Sequence, residues 1–348
     1  MLKRIIISVG IGILIFALFV LYTFWSTGYF RKIQLKNNFG EIVQTIELPG
    51  VEDMALAPKD SFLILSVDDR AKRRSGKEGL HGLYWLDLTK FPFEARPVKI
   101  PDDLTLFPHG ISLLEIAPNQ YQLAVINHVE GKHSVELFSI QDGKVEYDRT
   151  LQDPLLISPN DLFLVGKDQF YYSNDHGNSS KLGVFAENYL GVAAANVGYF
   201  DGNSFRIVAE KMAYPNGLVT DLSGKKLFVA SSRGFLIRVF DIQENGGLDQ
   251  VEDIPVRTGV DNLELDENGK IWTGAHPDLM TFSAYASGKK EFSPSEILKI
   301  SYKEDQSSLE SVWVDDGQTL SATSVAIPFG EYLFLGNVMD SKFLVLKK

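Results

Sequence analysis

The 348-residue chain contains no cysteine. Disulfides, thiolate metal sites, iron–sulfur clusters and cysteine nucleophiles are thereby excluded. A basic excess is missing too. Lysine and arginine total 34 against 45 aspartates and glutamates, a net charge of −11, and nucleic-acid binding calls for the opposite sign. Histidine is scarce, at six residues, and no two stand at the spacing of a helical zinc pair, so a metal would depend mainly on oxygen ligands. Gly-x-Ser-x-Gly, Walker A and His-Glu-x-x-His strings are absent. With 45% hydrophobic and 23% charged residues, the composition is that of a globular protein rather than a disordered one.

Long apolar runs number one. From Ile5 to Trp25 no charge interrupts 21 positions, enough for a helix to cross ~30 Å of hydrocarbon. Tyr22 and Trp25 lie at the far end, where interfacial aromatics belong. The run predicts an uncleaved transmembrane anchor over residues 1–28, with a cleaved signal peptide as the alternative, although a signal's apolar core is shorter. Lys3 and Arg4 precede the run and Arg31, Lys32 and Lys36 follow it, so the positive charges do not orient it. Gly10-Ile11-Gly12 lies inside the run with no strand before it, and is no dinucleotide fingerprint.

Residues 29–348 hold no second such run and no linker. A unit recurs instead: a polar pair, a short apolar run, a turn, then a second apolar run ending in small residues. NGLVTDLSGKKLFVAS, NLELDENGKIWTGA and NDLFLVGKDQFYYS are the clearest copies, and starts fall at residues 52, 109, 160, 216, 262 and 324. Recurrence near 50 residues with only short strands predicts an all-β, six-bladed β-propeller of about four strands per blade. Phe185 to Tyr199, rich in alanine, is expected to form a short amphipathic helix. Lys72-Arg73-Arg74 reads as a solvated loop tip, and Ser287-Gly-Lys-Lys290 as a chance S-x-x-K match in a turn.

Equivalent positions in successive blades lie at equal radius about a propeller axis. The residues opening the units, Glu52, His109, Asn160, Asn216 and the pair Asp261–Asn262, should therefore converge on one end of the central channel. Two carboxylates and three amides form a hard-oxygen set that suits Ca²⁺.

The strings GVEDM (50–54), PHGIS (108–112), INHVEGKHSVELF (126–138), SPNDL (158–162), YYSNDHG (171–177), PNGL (215–218), VDNLELDENGKIWTGAHP (260–277) and SATSVA (321–326) resemble the paraoxonase/arylesterase family, in order, from about residue 45 to the C-terminus. The resemblance implies a six-bladed propeller with two calcium ions, an N-terminal hydrophobic anchor, and hydrolysis of lactones and aryl esters. It implies Glu52, Asn160, Asn216, Asp261 and Asn262 as ligands of a catalytic calcium. It implies Asp53, Asp161 and the main-chain carbonyl of Ile111 as ligands of a structural calcium. Consecutive strand residues point oppositely, so Glu52 and Asp53 can serve different ions. His109 and His128 match the pair held to activate water, with Asp261 as an alternative base. His276 and Asp175–His176 match positions lining or supporting the channel. A single-pass membrane protein with its propeller outside the cytoplasm, acting on a small lactone or ester and on no nucleic acid, is the expectation. The family's ring-closing cysteine pair is missing, so closure should rest on strand pairing between EIVQTIEL (41–48) and the last blade. Related readings are a propeller of the gluconolactonase or strictosidine-synthase kind, which generally lacks the Asp53 and Asp161 pattern, and a non-catalytic propeller stabilised by calcium.

Overall fold

Beyond residue 36 the chain is dominated by short runs of valine, isoleucine, leucine and aromatic residues broken by tight turns, the pattern of antiparallel strands. The computed structural model describes residues 2–129, 131–303 and 306–348. In it the strands gather into six antiparallel sheets, the blades of a propeller. The innermost strands are Val51–Ala57, Pro108–Ala117, Pro159–Gly166, Pro215–Thr220, Gly259–Leu265 and Thr323–Phe329. Each contains one of the six starts read from the repeat. Turn chemistry sets the local register. Between Lys132–Gln141 and Lys144–Leu151, for example, Asp142 and Gly143 take φ of 49° and 75°, the left-handed pair that a two-residue hairpin requires.

Burial falls from axis to rim. Val51–Ala57 is buried at nearly every position, whereas the outer strand Lys144–Leu151 is mostly exposed. Six apolar clusters hold the ring, each formed where one blade faces the next. Met54, Leu65 and Val67 meet Phe334 and Phe343 between the first and last blades. Phe228, Val239 and Ile254 meet Leu263, Ile271 and Leu298 between the fourth and fifth. Truncating one such side chain to alanine costs about 2–5 kcal/mol.

The ring closes by hydrogen bonding, as expected without cysteine. Glu41–Ile46 pairs antiparallel with Phe343–Lys347 and supplies the outer strand of the last blade. A second early strand, Lys36–Asn37, adds to the rim of the fifth blade, which the sequence did not announce. The 185–199 helix is corrected. Helical structure spans Lys181–Phe185 and Ala186–Leu190 and stops at Gly191, whose φ is 69°. Ala195–Phe200 is instead a central strand of the third blade, paired on both sides. The basic cluster is exposed as expected, but it lies in a helix rather than a loop tip. Arg70–Arg74 forms a short helix, Arg73 is ion-paired with Asp68, and Arg74 donates to the carbonyl of Ala286 at 2.6 Å.

Leu2–Ser26 is one continuous helix. Its segment Lys3–Ser26, 24 residues, is long and apolar enough to cross a membrane by length and composition. Its end is fastened to the propeller. The Leu279 N–H donates to the carbonyl of Thr27 at 2.9 Å, the buried Arg233 guanidinium donates to the carbonyl and hydroxyl of Ser26, and Arg31 pairs with buried Glu296 at 2.7 Å. A side chain at Gly28 would meet the carbonyl oxygen of Pro277 at 2.2 Å, so glycine is required for this approach.

Candidate functional site

Every innermost strand carries one extra residue relative to its neighbour at the same place. The register slips between Val51 and Asp53, Pro108 and Ile111, Pro159 and Leu162, Pro215 and Leu218, Val260 and Leu263, and Thr323 and Ala326. Bulges bend a strand and re-aim its side chains. Here six of them ring the axis and turn consecutive residues toward opposite ends of the channel. Glycines let the bulges pack. A Cβ at Gly110 would stand 2.4 Å from Asp161 Oδ1, and one at Gly217 would stand 2.4 Å from the Leu263 nitrogen.

Toward the end that bears the N-terminal helix, the bulges present Glu52, His109, Asn160, Asn216 and Asp261 to one cavity of about 340 Å³, with Arg70, Tyr214, His276 and Thr27 in its wall. Leu279, Met280, Phe282, Val338 and Met339 make the mouth apolar. Asn262 lies against this group, its amide donating to the Glu52 carbonyl at 2.9 Å and to Glu52 Oε1 at 3.3 Å. The other two amides also donate through nitrogen, Asn160 to Asp175 at 3.3 Å and Asn216 to Asp261. His276 Nε2 lies 2.8 Å from the second Asp261 oxygen.

That bonding leaves the oxygens over. Glu52 Oε2, Asn160 Oδ1, Asn216 Oδ1 and Asn262 Oδ1 are all buried without a hydrogen-bond partner. Buried orphan acceptors of this kind are rare and costly. Four convergent oxygens of this set fit a hard cation such as calcium. Among the described residues no group of three or more His, Cys, Asp or Glu is gathered for a metal, as follows when amides make up most of the donors. Burial alone would raise the Glu52 carboxyl, but the His109 imidazole and the Arg70 guanidinium, 3.9 Å away, outweigh it and hold it at about 2. Asp261 is pushed up by burial and by the Glu52 charge, against the His276 hydrogen bond.

The next residues point the other way. Asp53, Ile111, Asp161 and Glu264 line a cavity of about 970 Å³ toward the opposite end. Asp53 accepts from the Met54 and Ile111 N–H groups at 2.8 and 2.7 Å, and Asp161 from Leu162 and Leu218 at 2.7 and 2.9 Å. The group seen bonded at Ile111 is thus its N–H. Burial, then the mutual repulsion of the carboxylates, pushes Asp53 well above the usual carboxylate range, and burial raises Asp161 and Glu264 likewise.

The histidines form a row. His109 Nε2 is 3.5 Å from Glu52 Oε1, His109 Nδ1 is 2.9 Å from His128 Nε2, and His128 Nδ1 is 2.7 Å from His133 Nδ1. His176 Nδ1 lies 2.6 Å from Asp175, whose other oxygen receives the Asn160 amide. The structure therefore brings each residue named from the sequence into one of two groups that open to opposite ends of the channel, with Asn262, His128, Asp175 and His176 behind the lining side chains. Arg70, His133, Tyr214, Thr27 and Arg233 were not foreseen. Only His133 had a legible signal, since a histidine five positions after His128 across a glycine-bearing turn can return opposite it.

An axial cavity on a closed ring of six blades, walled by one polar residue from each of five bulges, defines a six-bladed propeller with its site on the central channel. The arylesterase family model matches residues 32–345, and the chain belongs to that family. Serum paraoxonase/arylesterase 2 of Homo sapiens is 29% identical over 328 residues, 88% of this chain and 92% of its own. Serum paraoxonase/arylesterase 1 of Rattus norvegicus is 32% identical over 242 residues, 68% of this chain and 67% of its own. Two solved structures share the fold. A luciferin-regenerating enzyme has a TM-score of 0.55 at 12% identity, covering 87% of this chain and 91% of its own. The calcium-binding protein regucalcin of Agrobacterium tumefaciens has a TM-score of 0.51 at 12% identity, covering 88% of this chain and 92% of its own.

Proposed function

We propose that this protein is a membrane-anchored, calcium-dependent hydrolase of lactones and aryl esters. The observation that carries the reading is the set of buried, unpartnered oxygens on Glu52, Asn160, Asn216 and Asn262, in a chain of the arylesterase family. With Asp261 these residues would hold the catalytic calcium, and Asp53, Asp161 and the Ile111 carbonyl the structural one. Calcium bound at the first site supplies Lewis-acid polarisation of the ester carbonyl and stabilises negative charge on its oxygen.

The remaining steps belong to the side chains. Glu52, with its carboxyl held at about 2, stays ionised across the working pH range. His109 turns Nε2 toward the cavity beside Glu52 and keeps Nδ1 on His128. It is placed to take the proton of the attacking water and to return one to the leaving alkoxide. His276 lies against one oxygen of Asp261 and Asn216 against the other, which supports a ligand role for that carboxylate over a base role. The apolar mouth favours a lipophilic acyl or aryl group and keeps bulk water from competing. The N-terminal helix, docked through Ser26 and Thr27 beside this mouth, would anchor the propeller on the extracytoplasmic side of a membrane.

The test is hydrolysis of a lipophilic δ-lactone and of phenyl acetate by the full chain in detergent, with calcium, after chelation, and after calcium add-back. Activity should vanish and return. Activity on neither substrate, with calcium still raising the melting temperature, would replace the enzyme by a calcium-stabilised binding propeller. Preference for sugar lactones would place it with gluconolactonase-like enzymes.

A further inference from the structure

Ester hydrolysis at neutral pH converts ester and water into carboxylate, alcohol and one free proton. The mouth of the cavity is apolar, so that proton gains from a polar route to solvent. We propose that His133 is the outer member of a three-imidazole relay, His109–His128–His133, that carries the proton from the cavity to the surface. The relay presupposes the hydrolase activity proposed above.

The geometry is continuous. His109 reaches from the bulge of the second blade into the cavity, with Nε2 at its Glu52 end. His128 uses both ring nitrogens, Nε2 toward His109 at 2.9 Å and Nδ1 toward His133 at 2.7 Å. Both gaps are hydrogen-bond lengths. The order comes from the hairpin. Gln120–Val129 and Lys132–Gln141 pair so that His128 and His133 stand directly opposite, one pair from the turn. Cross-strand partners of this kind bring their side chains together on one face. All three imidazoles are partly exposed, and His133 ends the row beside exposed Lys132.

The chemistry needs only neutral rings. A neutral imidazole offers one N–H and one free nitrogen, so three in series can all point the same way. A proton arriving at His109 Nε2 lets His109 Nδ1 release its proton to His128 Nε2. His128 Nδ1 then gives its proton to His133 Nδ1, and His133 Nε2 loses one to water or buffer. One proton enters and one leaves, no ring keeps a charge, and each N–H ends on the opposite nitrogen until tautomerisation through solvent resets it. Burial, with the flanking imidazoles, holds His128 well below the ordinary histidine value, and burial lowers His133 too. Both therefore stay uncharged at neutral pH.

The test compares wild type with His133→Phe and His133→Gln, as full chains in detergent with calcium, at minimal buffer and then with rising imidazole. The expected result is a kcat about tenfold lower in both variants at minimal buffer, with KM unchanged. Added imidazole should restore kcat in the variants and leave wild type unaffected. Undiminished kcat in either folded variant at minimal buffer would overturn the relay. So would a loss that imidazole does not repair, which would make His133 a positioning residue for His128 only. Wild type inactive on both lactone and ester would overturn the hydrolase reading and the relay with it, whereas an active wild type isolates the relay.

Discussion

The two ends of the central channel are built from neighbouring residues of the same strands, yet they differ in kind. At the helix-bearing end, Glu52 faces His109 and Arg70, and its carboxyl is held at about 2. At the other end, Asp53 faces Asp161 and Glu264, and all three are raised. Glu52 and Asp53 are consecutive and both buried. Burial acts on both in the same direction, so the sign of the net shift is decided by what each one faces. A guanidinium and a hydrogen-bonding imidazole beside a buried carboxylate outweigh desolvation, and further carboxylates add to it. The first chamber keeps unpartnered oxygens next to an imidazole and an apolar mouth, an arrangement for chemistry. The second ties its carboxylates to backbone N–H groups of several blades, an arrangement for holding the ring.

That division can be broken from either side, and the largest effect should come from the first chamber. Asp261→Ala should lower hydrolysis by about 10³-fold or more, while circular dichroism and the melting temperature show the fold retained. Full activity in this variant would end the metal mechanism. Asp161→Ala works on the opposite chamber. It strands the Leu162 and Leu218 N–H groups and should cost about 3–5 kcal/mol in urea unfolding. Loss of activity without loss of stability would erase the distinction between the chambers.

Gly110→Ala probes the bulge between them. Its Cβ would press on Asp161, and the strand can shift only by disturbing both chambers. A stability loss of about 1–3 kcal/mol, with calcium affinity reduced in parallel by calorimetry, is expected. The smallest effect reads the raised carboxylates through pH. Protonation of Asp53, Asp161 and Glu264 stabilises the metal-free propeller below about pH 4, the ordinary carboxylate value. That contribution is lost as pH rises through their raised folded values. On the proposed function, calcium would take the place of those protons. The rise in melting temperature on adding calcium should therefore be larger at about pH 8 than at about pH 5. Glu52, already ionised, contributes nothing to that difference, whereas Asp261, raised in the first chamber, adds to it, and an equal rise at both pH values would contradict the raised carboxylates.

Much of this architecture is legible in the amino-acid sequence. The six unit starts fall in the six innermost strands because each blade needs the same local pattern, a polar residue at the axis and then an apolar run. The closing strand at 41–46 is legible because a ring without cysteine must still satisfy its edges. The 185–199 segment misleads because alanine favours helix locally, whereas residues 195–200 sit between two strands whose backbone groups they must satisfy. Lys72-Arg73-Arg74 reads as a loop tip because nothing in a basic run shows that Asp68 and Ala286 wait beside it.

The sequence by itself determined the apolar N-terminal helix, the sixfold repeat and the residue types at the axis, because these depend on composition and on patterns within about 20 residues. Only the tertiary structure decided that Glu52 and Asp53 open onto different chambers, that three histidines form a row leading outward, and that Arg233 fastens the helix end beside the cavity. Those depend on bulges, on strand register and on approach between residues far apart in the chain, such as Arg233 and Ser26, 207 positions apart. Distances of that order are set by closing the ring.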